Sequence, residues 1–137
     1  MQRLDLGLRE HRAAGIASQT GYRQSMDLGL QGKVIMVGAA SKGLGFGIAR
    51  AVAADGARVS IAARTAVDIA AAAESLRQES GAEVMGTTFD ARDGDSIREW
   101  QVQTERTFGG IDGLVVNAGG PPAGSFDDFD DAHWQEA

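Results

Sequence analysis

From Lys33 onward, short β-rich runs alternate with longer helical ones, and no other feature of the chain limits its possible folds as much. "KVIMVG" (33–38), "ARVSIAAR" (57–64) and "AEVMGTTFD" (82–90) read as strands, and "IDGLVVNAGG" (111–120) as a fourth strand and its exit. Between the first two, "FGIARAVAADG" (46–56) reads as a helix closed by Gly56, with Ile48, Val52 and the intervening alanines on one small apolar face. "DIAAAAESLRQESG" (68–81) is an Ala-rich helix ending at Gly81, a residue suited to the left-handed turn that closes helices. Ser96 and Glu99 have capping-box spacing at the head of "SIREWQVQTERTFGG" (96–110), whose Ile97, Trp100 and Thr104 share one side. "PPAGSFDDFDD" (121–131) reads as a loop and "AHWQEA" (132–137) as the start of a helix.

Strands that are apolar throughout, rather than alternating, belong to parallel sheets covered on both faces. Right-handed crossovers then give a doubly wound α/β sheet of Rossmann type, here with four strands. A ligand belongs beyond the carboxyl ends of such strands, where the winding reverses between strands one and four. Gly38–Gly47, Arg64, Asp90 and Asn117–Gly120 all fall on that rim.

The bulk composition removes several classes of function. At 137 residues the chain holds one domain at most, and 13 basic against 19 acidic residues, a net charge of −6, argue against nucleic acid as a partner. There is no cysteine, so disulfides, thiolate metal sites and cysteine nucleophiles are excluded. No apolar run approaches the roughly 20 residues of a membrane helix, and the default compartment is cytoplasmic. Residues 1–25 stand apart, with Arg3, Arg9, Arg12 and Arg23 against Asp5 and Glu10 and no strong apolar period. They read as a disordered or loosely helical tail, and residues 26–137 as the compact domain, opening at Met26.

Gly38, Gly43, Gly45 and Gly47 cluster where the first strand gives way to a helix. Glycine admits positive φ and lets a phosphate approach without a Cβ in the way, and a helix N-terminus offers N–H groups to an anion. The phosphate loop of ATPases fits Gly38 and Gly43, but Leu44 and Gly45 stand where it needs lysine and a hydroxyl. G-x-G-x-x-G fits Gly43 and Gly45, but Ile48 takes its third place. The template T-G-x-x-x-G-x-G remains. It belongs to the short-chain dehydrogenase/reductase family, which this sequence resembles.

Aligned on Gly43 and Gly45, the template's first glycine falls on Ala39 and its threonine on Gly38. Alanine suits that place if φ stays negative; alternatively Gly38 is the first glycine and the loop is one residue longer. Three further matches carry the resemblance: Asp90 in "FDARD", the "VNAGG" of residues 116–120, and the approach "ERTFGGIDGLVVNAGG". The resemblance implies that Gly38, Ala39, Ser41, Lys42, Gly43, Leu44 and Gly45 line a nicotinamide dinucleotide. It implies that Asp90, with Ala91 beside it, receives the adenine amine. Asn117 then braces the central strands, and Ala118 and Gly119 leave room for a ribose. The loop "NAGGPPAGSF" is similar to that of members labelled 3-oxoacyl-(acyl carrier protein) reductases, which implies a carbonyl or alcohol substrate and a homo-oligomer in the complete protein. By the same resemblance the strand order is 3-2-1-4.

In dinucleotide folds an acid at the end of strand two, about 20 residues past the glycines, holds the ribose 2′-hydroxyl. Here that place is Arg64, followed by Thr65. A guanidinium pairs with a 2′-phosphate that a carboxylate would repel, and Lys42 could add a second charge, so the pattern points to NADP over NAD. The bland alternatives are a solvated strand end and a solvated loop tip.

No catalytic residue can be assigned. Family members use a serine and Tyr-x-x-x-Lys, whereas the one tyrosine, Tyr22, lies in the tail and Met26 stands four residues beyond it. His11 and His133 lack metal-ligand spacing. Asp127, Asp128, Asp130 and Asp131 read as a solvated loop and helix start rather than a cation site. The chain therefore reads as the cofactor-binding part of an oxidoreductase, truncated before its catalytic half or completed by a second polypeptide. The alternative is a non-catalytic dinucleotide-binding or interaction module.

Overall fold

The computed structural model describes residues 27–120 and 124–136. Residues 1–25 and Met26, on which the tail and domain-start expectations fall, lie outside the described residues, as do Tyr22 and His11. The elements are β1 (Val34–Gly38), α1 (Gly43–Ala54), β2 (Arg58–Ala63), α2 (Ala66–Ser80), β3 (Val84–Thr88), α3 (Gly94–Phe108) and β4 (Gly113–Val115). A 3-10 turn, Phe126–Asp128, then leads to α4 (Asp131–Glu136). The four strands form one all-parallel sheet in the order β3-β2-β1-β4, parallel as the apolar runs predict and ordered as the family resemblance implies. Val37 stands opposite Ile61 on one side and Val115 on the other, which aligns the strand ends along one rim.

The apolar runs become strands because both faces of the sheet centre are covered. On one face Val37, Val59 and Ile61 pack with Ala49 and Ala53 of α1 and Ile69 and Leu76 of α2. On the other, Met36, Ala62 and Phe89 pack against Trp100 of α3. Each large side chain so buried contributes about 1.5–3 kcal/mol. Coverage falls away at the edges: Val84 is the one buried residue of β3, and Leu114 of β4 is 57% exposed.

The α3 face carries polar atoms into this core and satisfies them all. Trp100 Nε1 donates to Ser60 Oγ at 2.8 Å, Ser60 Oγ bonds Thr104 Oγ1 at 2.8 Å, and Thr104 Oγ1 donates back to the Trp100 carbonyl at 2.8 Å. Trp100 and Thr104 are buried as their spacing predicts, but Ile97 is 41% exposed and does not share their environment.

The helices begin upstream of the sequence expectation, α2 for instance at Ala66 rather than Asp68. α1 begins at Gly43, inside the glycine cluster, three residues earlier than the apolar pattern indicates. α3 is capped by Asp93, whose carboxylate accepts from the Asp95 N–H at 3.0 Å; Ser96 lies inside the helix and bonds elsewhere. Gly81 closes α2 in the left-handed conformation, φ 70°, as expected.

β4 pairs with β1 over three residues and is secured at both ends by side chains. At its start the Val34 N–H donates to Asp112 Oδ2 at 2.8 Å and Lys33 Nζ to Asp112 Oδ1 at 3.0 Å. At its exit the Asn117 amide takes over.

Candidate cofactor site

The rim at the carboxyl ends of the strands brings the expected residues together in two groups. The first is the glycine turn. Gly38 ends β1 and is buried; a Cβ there would meet the Asn117 carbonyl oxygen at 2.8 Å. Its side chain is excluded by close approach, not by φ. Ala39 has φ 47°, so the condition of negative φ set for an alanine at this place is not met. The left-handed region costs an L-residue roughly 1–2 kcal/mol, which makes position 39 a natural glycine site occupied by alanine. The turn is tied to β2 by the Ala40 N–H, which donates to the Ala62 carbonyl at 3.1 Å.

Ser41 is half-buried, while Lys42 is exposed and precedes α1 in extended backbone without capping it through its side chain. Gly43 has φ 61°, and a Cβ there would meet nothing within 4 Å, so the space beside it is open. Leu44 is 73% exposed. Gly45 is buried, and its Cβ would lie 2.6 Å from the Ala39 carbonyl oxygen and 2.7 Å from Asn117 Nδ2. Asn117 Nδ2 itself donates to the Gly38 carbonyl at 3.0 Å and approaches the Ala39 carbonyl at 3.4 Å. One amide thus holds β4, the end of β1 and the turn, and α1 can come this close only because residue 45 has no side chain. The first turn of α1 carries no acid, which leaves its positive dipole end available to an anion. Ala118 and Gly119 follow Asn117 and are exposed.

The second group surrounds a shallow depression of about 270 Å³ lined by Arg64, Thr88, Phe89, Asp90, Ser96 and Glu99. Arg64 leaves β2 exposed, and Asp90 leaves β3 half-buried, so parallel strands place a cation and a carboxylate at one opening. The Asp90 carboxylate accepts from the Arg92 N–H at 3.0 Å and Nε at 3.2 Å through Oδ1, and from Arg92 Nη2 at 3.0 Å through Oδ2. The Arg92 guanidinium, helped by its backbone N–H, lowers the Asp90 pKa to about 2 from the ordinary 3.8. Asp90 is a carboxylate throughout the physiological range. Ser96 Oγ accepts the Asp90 N–H at 3.0 Å and so fixes the backbone from which the carboxylate projects. Ala91, next to it, is exposed.

The sequence pattern does not single out Arg92 and Ser96 as site residues. For Arg92 the signal was present: an aspartate two residues before an N–H is the pattern of an Asx turn. For Ser96 the capping-box spacing pointed elsewhere. A larger hollow of about 540 Å³, lined among others by Gln31, Gly56, Arg58 and Glu83, lies at the opposite end of the sheet, where the strands begin. Open α/β sheets bind their ligands at the carboxyl ends, which makes the rim and not this hollow the candidate site.

The chain belongs to the short-chain dehydrogenase family, whose model matches residues 33–137. A Streptomyces virginiae protein named as the ketoacyl reductase of the monensin polyketide synthase is 36% identical over 104 residues, covering 76% of this chain and 40% of that protein. Among solved structures, L-sorbose reductase from Gluconobacter frateurii, complexed with NADPH and L-sorbose, superposes with a TM-score of 0.72 at 32% identity. The match covers 80% of this chain and 42% of that one. A variant of actinorhodin polyketide ketoreductase with NADPH gives 0.68 at 32% identity, covering 76% and 40%. The chain spans less than half the length of the first curated relatives it matches, 40%, 37% and 23% of them.

Among the described residues no helix is long and apolar enough to cross a membrane.

Proposed function

We propose that this chain is the NADP-binding part of a cytoplasmic oxidoreductase that moves hydride between NADPH and a carbonyl or alcohol substrate of the 3-oxoacyl type. The observation that carries the reading is Arg64 at the end of β2, sharing one depression with Asp90. A cation there favours a 2′-phosphate, and a carboxylate opposite it suits the adenine amine. The glycine turn fits a pyrophosphate, since Gly43 leaves open space at the N-terminus of α1 and no first-turn acid opposes an anion. The relatives solved with NADPH support the same cofactor.

When bound, the dinucleotide supplies the hydride. This chain's own residues hold it: Gly43 and the first turn of α1 at the pyrophosphate, Arg64 with Lys42 at the 2′-phosphate, Asp90 with Ala91 at adenine. Gly38, Ala39, Ser41, Leu44 and Gly45 shape the turn, and Asn117, Ala118 and Gly119 form the floor. The proton donor is not among these residues, since the chain has no Tyr-x-x-x-Lys. We therefore infer that the 137 residues alone do not turn over substrate, and that the complete protein is a homo-oligomer.

Titration of the chain with NADPH and NADH tests the cofactor. NADPH should bind more tightly, and Arg64→Asp should reverse the order by replacing a pairing charge with a repelling one. Equal affinity for both cofactors before and after the substitution would exclude NADP specificity at Arg64.

A further inference from the structure

We propose that Arg92 and Ser96 are positioning residues that hold the Asp90 carboxylate with one acceptor site left for a purine amino group. The inference rests on the reading of Asp90 as the adenine-binding carboxylate. A carboxylate has about four lone-pair sites. Oδ1 of Asp90 takes two donors from Arg92, the backbone N–H and Nε, and Oδ2 takes one, Nη2. One site, on Oδ2, remains. The grip comes from outside the depression, because Arg92 is not among the residues that line it whereas Asp90 and Ser96 are. Ser96 completes the constraint by holding the Asp90 N–H at 3.0 Å, so neither the backbone nor the carboxylate plane turns freely.

The single open site gives selectivity as well as affinity. It accepts one N–H and repels an oxygen, so it favours a 6-amino purine over a 6-oxo purine. Glu99, the other carboxylate of the lining, adds to that bias because its Oε1 is likewise an acceptor, bonded by Gln103 Nε2 at 3.2 Å. Without Arg92 a competing cation remains in Arg64, which lines the same depression and already acts electrostatically on Asp90. The freed carboxylate would turn toward it and away from the base.

The test compares dissociation constants of NADPH and its hypoxanthine analogue for the 137-residue chain and its variants. The parent chain should prefer the adenine form by about tenfold or more, as sites built to pair a donor do. Arg92→Leu should bring that ratio below about threefold, and Ser96→Ala should lower it by a smaller factor. Arg92→Lys should not restore it, because a point charge cannot supply two parallel donors. An Arg92→Leu variant that keeps the full ratio, while Asp90→Ala abolishes it, would overturn the positioning role and leave the adenine reading standing. A parent chain with no preference would overturn the adenine reading itself, and the inference with it. Full restoration by Arg92→Lys would overturn the two-donor geometry.

Discussion

The Asn117 amide donates to the Gly38 carbonyl at 3.0 Å, joining the ends of β4 and β1 where the ladder between them stops. The same nitrogen lies 2.7 Å from where a Cβ on Gly45 would be. The floor of the site is therefore a contact between an amide and the bare backbone of a helix. Asn117→Ala removes the donor and should destabilise the chain by about 1–3 kcal/mol, the cost of a partly buried acceptor left unpaired. Gly45→Ala should cost about as much by overpacking, since its Cβ would meet backbone oxygen at 2.6 Å. Gly47→Ala is the contrast, because a Cβ there meets nothing within 4 Å inside α1, and it should stabilise by about 0.5–1 kcal/mol. Urea denaturation of the three variants checks the order; a Gly45→Ala protein as stable as Gly47→Ala would contradict the close approach.

Ala39 stands at φ 47° in the turn, a conformation alanine takes at a cost. Ala39→Gly should relieve roughly 1–2 kcal/mol of left-handed strain. Part of this is offset by the greater freedom glycine gives the unfolded chain, about 0.4–1 kcal/mol. A net stabilisation of roughly 0.5–1 kcal/mol is expected, read as a higher midpoint in thermal or urea unfolding. A lower midpoint would mean that residue 39 holds a negative φ in solution.

This turn also shows where the sequence stops being legible. Strand number, parallel pairing and the 3-2-1-4 order follow from apolar runs and from the family resemblance, and the structure has them. Which glycine serves φ and which serves contact does not follow, because both demands select the same residue type. Gly38 turns out to be a contact glycine and Ala39 the residue at positive φ. In α3, Ser96 and Glu99 have the spacing of a cap, yet Asp93 caps more favourably and frees Ser96 to bond Asp90. Trp100 and Thr104 announce a buried face by their spacing, but their partner Ser60 sits in an apolar strand with no local sign of its role. Long-range pairings of this kind depend on register between elements, which local pattern does not encode.

The Asp90–Arg92 pair should leave a signature in acid. The folded chain holds the Asp90 pKa at about 2, below its ordinary 3.8, so the unfolded chain takes up this proton more readily. The pair's contribution to stability is then full above about pH 4 and is lost as pH falls through about 2. Arg92→Leu removes most of it. The part of the stability difference that comes from this pair should be constant from neutral pH to about pH 4 and vanish toward pH 2, while carboxylates that Arg92 does not touch cancel. Both side chains are partly exposed, so high salt should also shrink the difference. A gap that widens as pH drops below 4 would contradict this assignment.

The open side of β4 carries the last prediction. Among the described residues β4 pairs only with β1, and Leu114 and Val116 are 57% and 88% exposed. An uncovered strand with apolar side chains is a template for pairing with another chain. The 137-residue protein should therefore self-associate at micromolar concentration and show no carbonyl reduction with NADPH. Leu114→Lys combined with Val116→Lys should shift it toward monomer in sedimentation velocity, because lysine along an edge opposes strand addition. On the proposed reading neither change should produce activity, since neither adds a Tyr-x-x-x-Lys to the 137 residues. Supplying a catalytic half with a further strand, the serine and Tyr-x-x-x-Lys should instead remove the self-association and give NADPH-dependent reduction together. A monodisperse monomer that reduces ketones unaided would refute both the open-edge argument and the reading of this chain as a cofactor-binding part, since it would require a proton donor at the rim where none of these residues provides one.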